Sequence, residues 1–389
     1  GLVSGIVFLL VRWLWGWTGS GVLRLPAHKA AAVAALVAAL FYAALAGFAI
    51  PVQRALIMLS VVLGSLLLQR NVRSSHLLAV ALLAVLLYDP LAVMAPGFWL
   101  SFGSVAIILL VVQGRMGERR WQVWGRVQWA ITIGLFPLLL LWFQQASLAA
   151  PLANLLAIPV IEIAVIPLTL LGIVCQVLLP DAVAAALFQL AAWSMAQLWL
   201  ALEAMARFDQ LQWLQSAPSL WALLCAAIGV VWLLLPHGWP ARWVGAVWLL
   251  PMLLLRPAAP QPCEAWVTVL DVGQGLAAVV RTHEHTLVFD TGARFSPRFD
   301  MGRAVVAPYL RATGVRKLDT LIVSHQDNDH IGGAASLVEQ YPAARTLTSV
   351  PERLPGADPC VAGETWRWDG VEFSLLNPLA ESARRNNAS

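Results

Sequence analysis

The sequence predicts a polytopic α-helical membrane bundle followed by a smaller α/β domain, and three observations carry that prediction. The chain has 389 residues, 60% hydrophobic and only 12% charged, where a soluble domain is nearer about 25% charged. One core could not hide so much apolar surface from water, so an ordinary soluble protein is excluded. Apolar runs near the length of a membrane-spanning helix, about 20 residues, recur up to residue 255 and then stop. After a Pro-rich stretch, Pro257–Pro262, the texture changes to short strands bounded by turn residues.

Charge is divided in the same way. Residues 1–262 carry 13 Lys and Arg against 6 Asp and Glu, and residues 263–389 carry 12 against 15. The net charge of +4 is therefore a basic membrane part plus a mildly acidic soluble part. Basic loops are what membrane topology requires, so this charge is no argument for nucleic acid. Sixteen of the 19 Trp precede residue 263, as interfacial anchors would. The four Cys form no CxxC pair. Cys175 and Cys225 read as packing residues, and Cys263 with Cys360 could pair only in an oxidising compartment.

The predicted spans are 1–17, 29–50, 52–69, 75–88, 91–113, 127–143, 183–206, 219–235 and 241–255. Residues 148–179 are too long for one simple span and are broken by Pro151, Pro159, Pro167 and Gly172, giving one kinked helix or two short ones. The bundle then has about 9–11 helices over residues 1–256. Arg24 and Lys29, then Arg70 and Arg73, then Arg115, Arg119 and Arg120 mark alternate loops as cytoplasmic. Past residue 148 the parity depends on how the broken segment is counted.

Within the bundle, Gln189, Glu203 and Arg207 fall within about 40° of one another on a helical wheel, with Gln197 about 80° away. Glu203 and Arg207 form an i,i+4 pair. Such groups either line a watery path or make an interhelical contact near the interface. Glu162 stands alone on the broken segment, as a structural or gating group. For Arg12 and Arg54, snorkelling to headgroups is favoured over a contact with a ligand.

In the second part, strands are predicted at 265–271, 276–282, 286–290, 318–324, 345–350, 365–368 and 371–376. Helices are predicted at 303–313 and 331–341. Ser324-His325-Gln326-Asp327-Asn328-Asp329-His330-Ile331-Gly332-Gly333 follows the central apolar strand. It puts four potential metal ligands, His325, Asp327, Asp329 and His330, within six residues of a strand-to-helix loop. Such side chains can converge on one or two divalent cations while Gly332 and Gly333 let the backbone turn. Two imidazoles with two carboxylates suit Mn²⁺ as well as Zn²⁺. The plainer alternative is a solvated loop in which Asp327 or Asp329 caps a helix.

His-x-Asp-x-Asp-His-x-Gly-Gly resembles the metal loop of the metallo-β-lactamase fold, and its Asp327 variant resembles the ComEC family of DNA-uptake proteins. Leu270-Asp271-Val272-Gly273-Gln274-Gly275, Phe289-Asp290-Thr291-Gly292 and Pro308-Tyr309-Leu310-Arg311 with Gly314-Val315 agree with that family. In the membrane part, Phe41-Tyr42 with Ala46-Gly47, Pro51-Val52-Gln53-Arg54-Ala55, the run Phe98–Gly103 and the run Asn154–Pro159 do so too. The resemblance implies a multi-pass protein of the bacterial inner membrane that passes single-stranded DNA, without sequence preference, together with other uptake proteins.

The resemblance further implies an αββα metallo-β-lactamase-like domain over residues 263–389, acting as a metal-dependent nuclease. His325 and Asp327 would hold one ion, and Asp329 and His330 the other, the latter two being the catalytic pair. Asp271 and Asp290 would be positioning groups, with turn caps as the equal alternative. Leu276 stands where many members have Asp. The family's downstream Gly-Asp and later His ligand have no counterpart, so the chain reads as a fragment whose site is incomplete. Two other functions remain open: a membrane-anchored metallohydrolase unrelated to transport, and a channel whose soluble domain is inactive.

Overall fold

The computed structural model describes residues 1–18, 25–112, 120–208, 212–236 and 238–377. Arg24, Arg115, Arg119 and the last twelve residues lie outside them. The chain divides into two compact units. One comprises Gly1–Leu138, Ser147–Gln212 and Ala227–Val247, and the other Leu139–Ala146, Trp213–Ala226 and Trp248–Ser389.

Among the described residues, five helices are long and apolar enough to cross a membrane: Ala27–Leu45, Ile50–Leu67, Trp121–Phe143, Ala150–Leu178 and Asp181–Ala206. Shorter apolar helices cover Leu2–Trp15, Ser74–Tyr88, Pro96–Val112, Leu220–Leu234 and Val244–Leu254. Pro51, Pro96 and Pro151 sit in first turns, where the missing N–H costs nothing. Ala31, Ala32, Ala35, Ala39 and Ala43 form a buried small-residue stripe on Ala27–Leu45, which permits close helix approach.

The structure changes several predicted boundaries. The span expected at 91–113 begins only at Pro96. Before it, Pro90–Met94 is a separate 3-10 turn whose Leu91 N–H donates to the Asp89 carboxylate at 3.0 Å. The broken segment is one continuous helical run, in which Val160–Val165 form a wide π-turn between Ala150–Pro159 and Ile166–Leu178. The π-turn absorbs the prolines that suggested two pieces. The span expected at 241–255 is two short helices, Val244–Val247 and Leu250–Leu254.

The predicted polar residues of the bundle do not gather in its interior. Glu162, Gln189, Gln197, Glu203 and Arg207 are all exposed. Glu203 and Arg207 meet at 3.7 Å at a helix end, and Gln197 lines a shallow cleft with Trp193, Leu156 and Val160. Arg54 departs from the snorkelling reading, being 8% exposed with an Nε that has no hydrogen-bond partner. Its guanidinium lies against Gly97, where a side chain would displace it.

The second unit holds a six-stranded mixed sheet. Its order is Asp358–Pro359, Ala343–Thr348, Leu318–Val323, Thr286–Phe289, Ala278–Arg281, Trp266–Val269. The first four strands run parallel and the last three antiparallel. Period-two alternation sends Val288, Leu321 and Val323 to one face, packed with Val306, Leu310 and Leu337. Leu287, Ile322 and Leu347 go to the other face, against Trp366, Trp368 and Phe373. Leu318–Val323 is buried at every position but Asp319 because both its faces are covered.

The helix expected at 303–313 is a π-turn, Gly302–Val306, followed by Ala307–Ala312. The one expected at 331–341 divides into Asn328–Ile331 and Ala334–Gln340 at the two glycines. A short hairpin, Arg294–Ser296 with Phe299–Asp300, was not anticipated. Cys263 is exposed, Cys360 is buried, and neither is paired. The Pro-rich stretch is strapped to the sheet, with Ala258 and Pro260 carbonyls facing Arg281 at 3.5 Å and His283 Nδ1 at 2.9 Å.

Candidate metal centre

The apolar strand Leu318–Val323 ends at Ser324, and the polar loop crosses the end of the sheet beside the turn after Thr286–Phe289. Asp290 opens that turn in a left-handed backbone conformation, φ 57°, which Asp tolerates better than most residues. It is fully buried and organises the loop. Oδ1 accepts the Ser324 N–H at 2.7 Å. Oδ2 accepts the Ser324 hydroxyl at 2.7 Å and faces His330 Nδ1 at 2.7 Å. Ser324 Oγ lies 2.9 Å from His325 Nδ1. A carboxylate can only accept, so this chain leaves protons on both Nδ1 atoms and lone pairs on both Nε2 atoms. Thr291 adds two bonds to the His330 carbonyl, at 2.9 and 2.8 Å.

The two Nε2 atoms each face a carboxylate. His325 Nε2 is 3.5 Å from Asp327 Oδ2, and His330 Nε2 is 3.7 Å from Asp329 Oδ2. Two ligands about 2.1 Å from one tetrahedral ion stand roughly 3.4 Å apart, so each His–Asp pair has the span of two ligands on a common ion. The imidazole rings lie 3.9 Å apart between centroids. Among the described residues no three His, Cys, Asp or Glu gather as one ligand group. The residues present therefore fit two half-sites, each needing further ligands.

The capping alternative finds no support at Asp327. Asp327 occupies the N-cap position of Asn328–Ile331 but makes no side-chain cap bond. Asp271, by contrast, does close a turn, accepting from Gly273 N–H at 3.1 Å. The neighbouring Gly275 presses on the Asp329 backbone, where any Cβ would collide, and Leu276 N–H donates to the Asp329 carbonyl at 3.2 Å. Gly333 packs backbone to backbone on Gly302 and the Thr291 carbonyl, and Gly332 is as tightly enclosed by Arg294 and Asn328. These glycines let three chain segments meet at one loop. Two contributors were missed from sequence: Ser324, the bridge between the imidazoles, and Asn328, which holds the 294–300 hairpin. Their signal was only their place inside the polar cluster.

Comparison with known proteins agrees with both units. The family model described as Competence protein matches residues 1–240. That of the metallo-beta-lactamase superfamily matches residues 270–358. The chain is 37% identical to "Competence protein ComA" of Neisseria gonorrhoeae, over 99% of this chain and 54% of that protein. It is 31% identical to "Uncharacterized protein YcaI" of Escherichia coli, over 99% and 50%. It is 28% identical to "Recombination protein 2" of Haemophilus influenzae, over 90% and 49%. No solved structure matches. The chain spans about half the length of the curated relatives it matches. With its apolar helices, and with the competence model covering more than half its length, this chain is a membrane protein of the competence family that carries a metallo-beta-lactamase-type domain.

Proposed function

We propose that the chain belongs to a multi-pass protein of the bacterial cytoplasmic membrane that passes single-stranded DNA inward, in concert with other uptake proteins. Its second unit then acts on DNA as a metal-dependent nuclease. The observation that carries the nuclease half is the Asp290–Ser324 relay, which turns both imidazole Nε2 atoms toward carboxylates. Divalent ions, Mn²⁺ or Zn²⁺, held by His325 with Asp327 and by Asp329 with His330 would supply charge to a phosphodiester and lower the pKa of a water. The chain's own part is orientation. Asp290 holds the proton on His330 Nδ1, and the enclosed glycines keep Asp329 and His330 in place.

On the same reading the second unit faces outward, because a nuclease acting before import has to meet incoming DNA on that side.

Uptake of strand-labelled duplex by competent cells tests the proposal. Disrupting the bundle should abolish internalisation while surface binding persists. Asp329→Asn with His330→Ala should leave the non-imported strand undegraded. Normal internalisation without the bundle would defeat the transport reading. A second reading, a channel with an inert domain, draws on the absence of a three-ligand group among the described residues. The metal content of the purified protein separates the two.

A further inference from the structure

The hairpin Arg294–Ser296/Phe299–Asp300 supplies no metal ligand, yet it is fastened to the metal loop. Asn328 holds it from both sides, its Oδ1 accepting from Arg294 N–H at 3.2 Å and its Nδ2 donating to the Arg294 carbonyl at 3.0 Å. Past that anchor the hairpin stands in solvent. Phe295 is 60% exposed and Phe299 50%, with ring centroids 5.8 Å apart and planes 36° from parallel. Arg294 and Arg298 are exposed beside them. Asp300, the hairpin's acid, is buried, its Oδ1 accepting from the Arg303 N–H and the Ser336 hydroxyl, so the charged side chains on the hairpin's exposed surface are the two arginines. A cleft of about 240 Å³ runs beside the hairpin to Gly332, with Arg294 in its wall and Arg303 paired there with Glu339 at 3.1 Å.

Two neighbouring phenylalanines in water are costly unless something covers them. The occupant must be flat and apolar on its faces to satisfy the rings, and anionic beside them to satisfy Arg294 and Arg298. It must also be slender enough to follow the cleft to Gly332. A lipid surface meets the first two conditions and fails the third. A single nucleic-acid strand meets all three, because every base offers a π-face and every linkage a negative charge.

We propose that Phe295, Phe299, Arg294 and Arg298 form a stacking platform that holds single-stranded nucleic acid against the metal loop. This rests on the reading that the domain acts on DNA, and it names the element that grips the strand. The rings carry affinity without sequence preference, and the arginines carry its salt dependence.

The test is fluorescence anisotropy of labelled oligothymidylate with the full chain in detergent. A chelator is present, so that binding is read without cleavage. Phe295→Ala and Phe299→Ala should each weaken binding about tenfold with an unchanged salt slope. Arg298→Ala should lower the slope by about 0.7. An abasic oligonucleotide should bind all the Phe variants equally. Melting temperatures should match the wild type, because the replaced side chains are exposed. Wild-type binding that persists undiminished in both Phe variants overturns the platform alone. The same holds if those variants lose adhesion to anionic vesicles but keep the oligonucleotide. A wild-type chain that binds no oligonucleotide overturns the platform and the nucleic-acid reading together.

Discussion

Asp290 Oδ2 lies 2.7 Å from His330 Nδ1, and the carboxylate that makes this contact is wholly buried. A buried acceptor behind a metal-facing imidazole fixes both the ring's tilt and its tautomer. Asp290→Asn should therefore weaken divalent-metal binding about 10–100-fold while every metal-facing side chain remains. Competition with a chromophoric chelator measures it. An unchanged affinity would mean that Asp290 serves the fold and not the centre.

Gly333→Ala forces a methyl group into the Gly302 backbone and the Thr291 carbonyl. Overpacking of this kind costs about 1–3 kcal/mol, and here the obstructing atoms are main chain and cannot swing away. Gly64→Ala is the control, since nothing surrounds that helical position and Ala is the better helix former. Thermal melts should drop for the first and not for the second.

Arg54→Met should leave the protein as stable or raise its stability by about 1–2 kcal/mol, since a buried polar group without a partner is a net cost. Met keeps the length of the stem and removes the guanidinium whose buried Nε has no partner, beside Gly97. A lower melting temperature in detergent would show that the charge is compensated.

Asp369 contributes to the acid limb of stability in the second unit. The Thr282 hydroxyl, at 2.6 Å, is the main cause holding its carboxyl well below the ordinary range, helped by the Glu284 N–H and by His285. A depressed folded value means that the stabilisation is complete above the unfolded value, about 3.9, and drains away as pH falls toward the folded one. Wild-type melting temperature should fall more steeply below about pH 4 than that of Asp369→Asn. Parallel curves would show that Asp369 is not the group being titrated.

Reporter fusions after residues 71, 145 and 258 test sidedness. The first should report cytoplasm and the other two the outer face. Agreement between 71 and 258 would reverse the proposed orientation.

Much of the second unit was legible in the sequence because its strands are short apolar runs with turn residues between them. The four ligand candidates were legible because they adjoin one another. Asp290 read equally well as a turn cap, since its partners lie 34 and 40 positions away and periodicity carries no signal at that range. The hairpin was hidden by Pro297 and by a sequence too polar and too short to alternate. Arg54 was misplaced because composition shows a cation in an apolar helix and not the side to which it turns. The prolines of 148–179 marked a real irregularity, but a π-turn accommodates it without breaking the chain.

The dependence of the polar loop on a distant carboxylate has a consequence for how the centre comes into being. Strand Leu318–Val323 must first pair with Thr286–Phe289 and with Ala343–Thr348, and parallel pairings of this range form slowly. On the proposed reading, the loop would become competent to hold an ion only late in folding. A peptide copied from Ser324 to Gly333 would keep the four candidate ligands and lose the carboxylate that aims the imidazoles.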